Sequence, residues 1–160
     1  MENLVGDNTG LIHLISSCFA LLFGTLVLIL KKGTQRHKQI GYLYVISMGI
    51  LILTALMIYR LFKTWGIFHY ATLFSLITII LGMIPVWRKK PVNTWRNQHV
   101  SLMYWSVIGL YSAFAAEILT RIPQTPFFGM VAIGTVVILL LGGIFFNINK
   151  SKWIRKSKTL

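Results

Sequence analysis

Long apolar runs separated by short polar segments dominate the chain. Each run is long enough to cross a lipid hydrocarbon core as a helix, which needs about 20 mostly apolar residues. The runs cover residues 11–30, 40–62, 65–87, 100–120 and 127–148. None alternates apolar and polar positions as barrel strands do, and lipid cannot satisfy the polar groups of an open backbone. The pattern therefore predicts an all-α membrane protein with five transmembrane helices.

The connectors between the runs are short, which predicts that consecutive helices are antiparallel neighbours. We expect an up-and-down core of four helices with a fifth helix beside it. Residues 1–10 then form an extracellular segment, residues 11–148 the transmembrane domain and residues 149–160 a basic cytoplasmic tail. Small residues let helices approach closely, so the fifth run is predicted to pack or to form a homodimer through its glycines. These are Gly129, Gly134, Gly142 and Gly143.

The chain is strongly basic, with a formal net charge of +13. Short cytoplasmic loops collect Lys and Arg, and most of the basic residues lie in the first connector, the third connector and the tail. They are Lys31, Lys32, Arg36, Lys38, Arg88, Lys89, Lys90, Arg96, Lys150, Lys152, Arg155, Lys156 and Lys158. This bias predicts a plasma-membrane protein with its N-terminus out and its C-terminus in. Division of the charge among three segments indicates lipid rather than nucleic acid as the partner.

Each of the first four helices carries one histidine. His13 and His69 are predicted near the outer face, and His37 and His99 near the cytoplasmic face. Each pair comes from alternate helices, which are diagonal partners in a four-helix bundle and can hold haem iron between two imidazoles. The pattern resembles that of dihaem cytochrome b membrane proteins. A second interpretation stays open for the inner pair, because His37 lies between basic residues and His99 follows two amides, as interfacial residues do.

A polar group is also predicted at the outer ends of the helices. Glu117 is the one acidic residue inside a run, Arg121 follows it at i,i+4 spacing, and Arg60 ends the second run. As a structural pair, Glu117 and Arg121 form a salt bridge. As a functional set, His13, His69 and Glu117 provide two imidazoles and a carboxylate, which suit Zn, Fe or Cu. The sequence does not choose between these interpretations.

Three functions follow from these residues. The leading hypothesis is a membrane redox or electron-transfer protein that binds haem b through its four histidines, with a redox partner that the sequence does not identify. The second is a metal-dependent membrane enzyme or metal-delivery factor built on His13, His69 and Glu117. The third is a non-catalytic helper or small transporter. Tyr44, on the same helix face as His37, is the aromatic residue expected to support the inner site.

Several segments resemble a known family of bacterial membrane proteins, the domain-of-unknown-function family 2306 (DUF2306). The resemblance covers about the first four helices. It rests on the run from Arg36 to Tyr44, on Phe68-His69-Tyr70 followed by Ser75, Leu76, Thr78 and Gly82, on His99 with Met103, and on Glu117 with Arg121. It implies a role for His37, His69, His99 and Glu117. It implies no particular activity or cofactor.

Overall fold

The computed structural model describes residues 7–59, 63–92 and 94–155. These form five helices, α1 (Asn8–Ile29), α2 (Gln35–Met57), α3 (Ile67–Arg88), α4 (Trp95–Leu119) and α5 (Phe127–Arg155). No strand occurs within those ranges. Every one of the five helices is long and apolar enough to cross a membrane. The predicted five-helix membrane protein is therefore confirmed, while the orientation of its termini stays a prediction.

The bounds of α2, α4 and α5 differ by five residues or more from those that the apolar runs indicated. α2 begins at Gln35 because the Thr34 hydroxyl caps it, accepting the His37 backbone N–H at 3.2 Å. It ends at Met57, since Ile58 has extended backbone angles. α5 continues as a helix into the basic tail as far as Arg155. α4 likewise begins at Trp95, five residues before its apolar run. Apolar composition marks the part of a helix that lies in lipid, and polar residues extend these three helices beyond it.

The chain forms two compact units, Met1–Ile77 and Thr78–Leu160, with the boundary inside α3. In the first unit α1 packs against α2. α1 buries a stripe with helical spacing that consists of Ser16, Ala20, Gly24 and Val27. These small side chains let the two helices approach closely. Thus α1 buries its small residues on one face.

Lys32 lies in the turn between α1 and α2. Its Nζ donates to the carbonyl oxygens of Val27 and Leu28 at 2.7 and 2.8 Å, and so satisfies two acceptors at the open end of α1. Burial lowers the pKa of the Lys32 ammonium from 10.5 to about 8. This predicted cytoplasmic lysine therefore has a structural role in closing the helix end.

In the second unit α4 packs against α5 through glycines. A Cβ atom at Gly134 would lie 2.9 Å from the backbone nitrogen of Ala116, and one at Gly142 would lie 2.7 Å from Cγ2 of Ile108. The buried Tyr104 hydroxyl donates to the Gly142 carbonyl at 2.7 Å. The packing role predicted for the α5 glycines is thereby met inside one chain at Gly134 and Gly142, and a homodimer through this helix stays a prediction.

Candidate functional site

His13 is half-buried on α1 and forms a hydrogen bond with α2. Its Nδ1 lies 3.1 Å from the hydroxyl oxygen of Thr54. That hydroxyl has one proton, which it donates to the carbonyls of Ile50 and Leu51 at 2.9 and 3.0 Å. With its proton directed to these carbonyls, Thr54 accepts from His13, which assigns the ring proton to Nδ1. The neutral imidazole then has its lone pair on Nε2.

His99 lies in the first turn and a half of α4 and shows the same chemistry. Its Nδ1 lies 2.9 Å from the carbonyl oxygen of Gly82, a buried residue of α3. A carbonyl only accepts, so Nδ1–H is the donor and Nε2 of the neutral ring holds the lone pair. The glycine also makes room for a neighbour, since a Cβ atom there would lie 2.8 Å from Sδ of Met103.

His69 has the opposite arrangement. It lies near the start of α3 and is buried, with 5% of its surface exposed. The Gly66 backbone N–H donates to His69 Nδ1 at 3.2 Å, so Nδ1 holds a lone pair and the neutral ring carries its proton on Nε2. Nε2 is buried and has no hydrogen-bond partner among the residues that the structure describes. His69 is thus a hydrogen-bond donor at that atom.

His37 and Tyr44 both lie on α2. His37 is half-buried in the first turn of the helix, and Tyr44 is fully buried in the core of the first unit beside the buried Met48. His13 and His69 also belong to the first unit, whereas His99 belongs to the second. The predicted pairing of His13 with His69, and that of His37 with His99, stay predictions.

Glu117 forms the structural pair expected from its spacing. Its carboxylate accepts from the Arg121 guanidinium at 2.6 Å, and both side chains are about half exposed. Arg60 lies outside the described residues. Within the described ranges no group of three or more His, Cys, Asp and Glu side chains is placed to hold a metal ion. The predicted set of His13, His69 and Glu117 therefore stays a prediction.

The histidines differ in what they offer a ligand. Nε2 of His13 and of His99 is the acceptor atom of its ring, while Nε2–H of His69 is a hydrogen-bond donor. Sequence reasoning did not predict the roles of the groups that set this difference, which are Thr54, Gly82 and Gly66; Gly82 entered it only as part of the family resemblance. A hydroxyl inside an apolar run was a usable signal for Thr54, but the two glycines act through backbone atoms that no side chain reveals.

Comparison with known proteins adds a family. Residues 10–149 match the family described as "Predicted membrane protein (DUF2306)". No curated protein and no solved structure matches the chain. The match includes all four histidines, Glu117 and most of each of the five helices. The chain is a multi-pass integral membrane protein that belongs to the DUF2306 family.

Proposed function

We propose that this protein binds haem b in its helix bundle and serves in membrane electron transfer, with His13 as an iron ligand at an outer site and His99 as an iron ligand at a separate inner site. The observation that carries the proposal is the hydrogen bond from Nδ1 of each ring to an oxygen of another helix. Histidine ligands in metalloproteins almost always donate their second ring N–H to an oxygen in this way. The hydrogen bond orients the ring and raises the basicity of Nε2.

The two histidines are positioned by different means. His13 is oriented by a threonine hydroxyl that is itself anchored to its own helix backbone. His99 is oriented by the carbonyl of Gly82. Both oxygens are buried or half-buried, so the orienting bonds are protected from competition with water. Haem iron held by such imidazoles supplies one-electron transfer, at a potential set by the axial ligands and their hydrogen bonds.

The proposal narrows the ligand set predicted from the sequence. His69 has its proton on Nε2 and accepts at Nδ1, so Nε2 of this tautomer has no lone pair for iron. Glu117 is engaged with Arg121 at the surface. The predicted use of His69 and Glu117 as metal ligands consequently has less support than the use of His13 and His99. Zn, Cu or non-haem Fe are the alternatives that the test separates.

The test is an absorption spectrum and a metal analysis of the protein purified in detergent from haem-replete cells. We expect a Soret band that weakens in His13→Ala and in His99→Ala and is lost in the double variant. His69→Gln should retain the band, because it removes a side chain that is not proposed to bind iron. Far-ultraviolet circular dichroism of each variant checks that the helices are intact.

Three results would overturn the proposal or its assignment of ligands. If the protein contained stoichiometric Zn, Cu or Fe without a Soret band, the cofactor would be a metal ion and not haem. A protein with neither a Soret band nor bound metal would leave the non-catalytic helper or small transporter as the function to pursue. Loss of the band in His69→Gln with an intact fold would restore the pairing of His13 with His69.

A further inference from the structure

The buried edge of His69 is a donor that lacks an acceptor. Its Nε2–H is buried without a hydrogen-bond partner in the described part of the chain, and the Gly66 N–H on Nδ1 keeps the proton on Nε2. Most buried polar side-chain atoms in folded proteins have a hydrogen-bond partner. An unsatisfied one that is held in a defined tautomer therefore indicates a ligand that accepts a hydrogen bond.

Two aromatic rings from the connector between α2 and α3 lie beside this imidazole. The Tyr59 ring centroid is 4.8 Å from that of His69, and the Trp65 centroid is 5.4 Å away. Their planes are tilted by 30° and 29° from the imidazole plane. Both rings are partly exposed, 39% for Tyr59 and 46% for Trp65. They lie outside the helices, so they can turn to admit a ligand without breaking a helix.

This combination selects a class of ligand. A neutral N–H donor next to flat aromatic surfaces suits a planar ring with a carbonyl oxygen, because the ring stacks while the carbonyl accepts. The site lies at the end of a membrane-spanning helix, so a ligand dissolved in the bilayer can reach it. We propose that His69, Tyr59 and Trp65 bind the head group of a lipid-soluble quinone, with a quinone carbonyl accepting the Nε2–H of His69.

This site is separate from the haem proposal. It uses a different histidine in the opposite tautomer, and quinone binding is measured without reference to a Soret band. A phospholipid also carries acceptor oxygens, but its phosphate is anionic and its head group is not a flat ring. The neutral donor and the aromatic neighbours therefore favour the quinone, and the phospholipid becomes an outcome of the test.

The experiment titrates the purified full-length protein with decylubiquinone in uncharged detergent and follows the quenching of tryptophan fluorescence. We expect saturable binding, with a Kd raised roughly tenfold in His69→Leu, which corresponds to about 1.4 kcal/mol for one lost hydrogen bond. His69→Gln keeps an N–H near the position of Nε2 and should stay within about twofold of the wild type. Phe74→Leu, at an exposed position on the same helix, is the matched control.

A measurement on the unaltered protein guards against variants that do not fold. In protein labelled with ¹⁵N-histidine, decylubiquinone should shift the His69 Nε2–H resonance while the proton stays on Nε2. Absence of saturable binding, an unmoved resonance, or equal affinity in a folded His69→Leu protein would each overturn the proposal. Displacement of the quinone by phosphatidylglycerol, with the same resonance shifted by the lipid alone, would assign the site to a phospholipid instead.

Discussion

Replacing Gly134 with alanine should force α4 and α5 apart. The new Cβ atom would lie 2.9 Å from the backbone nitrogen of Ala116 and 3.1 Å from the carbonyl carbon of Ala115. Ordinary van der Waals contact begins at 3.4 Å, so the two helices must move apart by roughly 0.5 Å to relieve the clash. This separation forfeits about a quarter of the dispersion energy of each pair of atoms in contact between the helices. The atoms in the way belong to a helix backbone and cannot turn aside as a flexible side chain would.

Overpacking of this kind costs about 1–3 kcal/mol. The matched control is Gly143→Ala on the same helix, where the nearest atom to the new Cβ, Cη2 of Trp105, is 3.9 Å away. Both substitutions gain the same helix propensity, about 1 kcal/mol, so the difference between the variants isolates the packing cost. We expect Gly134→Ala to have a free energy of unfolding about 1–3 kcal/mol below that of Gly143→Ala.

The measurement is reversible unfolding in mixed micelles of dodecylmaltoside and sodium dodecyl sulfate, followed by far-ultraviolet circular dichroism. The midpoint for Gly134→Ala should fall at a lower fraction of dodecyl sulfate than the midpoint for Gly143→Ala. If the two variants unfold at the same fraction, the close approach of α4 and α5 at Gly134 is not a source of stability and the reasoning from the Cβ distances fails.

Three further outcomes are expected. Burial lowers the pKa of Lys32 to about 8, so this side chain should lose its proton between pH 7 and 9 in a ¹³C-methyl-lysine NMR titration. Because the unfolded chain holds that proton up to about pH 10.5, the free energy of unfolding should rise between pH 8 and 10.5. A flat pH profile identical to that of Lys32→Met would contradict this. Thr54→Val should weaken cofactor binding at His13 by about 10–100-fold in an optical titration, whereas Thr54→Ser, which keeps the hydroxyl, should bind as the wild type does. Equal affinity in the wild type and both variants would refute an orienting role for the hydrogen bond from His13 to Thr54. Tyr104→Phe should lower the free energy of unfolding by about 0.6–1.7 kcal/mol, and an unchanged unfolding midpoint in mixed micelles would show that this hydrogen bond is not stabilising.

The sequence was sufficient to predict the five helices because hydrocarbon crossing needs long apolar runs, and such runs are visible in composition. It was less informative about helix ends. The start of α2 depends on the Thr34 cap and its end on the extended backbone at Ile58, and neither changes the hydropathy of the run. α5 continues through polar residues that form a helix in water, so the pattern of apolar residues does not indicate where this helix ends.

The chemistry of the histidines was beyond prediction for a different reason. A tautomer depends on which oxygen or N–H of another segment meets Nδ1. For His13 that group is a side chain of α2, and for His99 it is a backbone carbonyl of α3. The sequence identified the imidazoles as candidate ligands, and that assignment stays a prediction. It also predicted the pair of Glu117 with Arg121, since i,i+4 neighbours on one helix need no information from the rest of the fold.

The pairing of α1 with α2 and of α4 with α5 has a consequence for biogenesis. Each pair is joined by a short connector, residues 30–34 in the first and residues 120–126 in the second. The bonds that tie the pairs join residues only 41 and 38 positions apart, so the loss of chain entropy on closing each hairpin is small. Because chains are synthesised from the N-terminus, the first hairpin is available to the insertion machinery before α4 has been translated. α1 with α2, and later α4 with α5, can therefore enter the bilayer as hairpins, with α3 inserted between them.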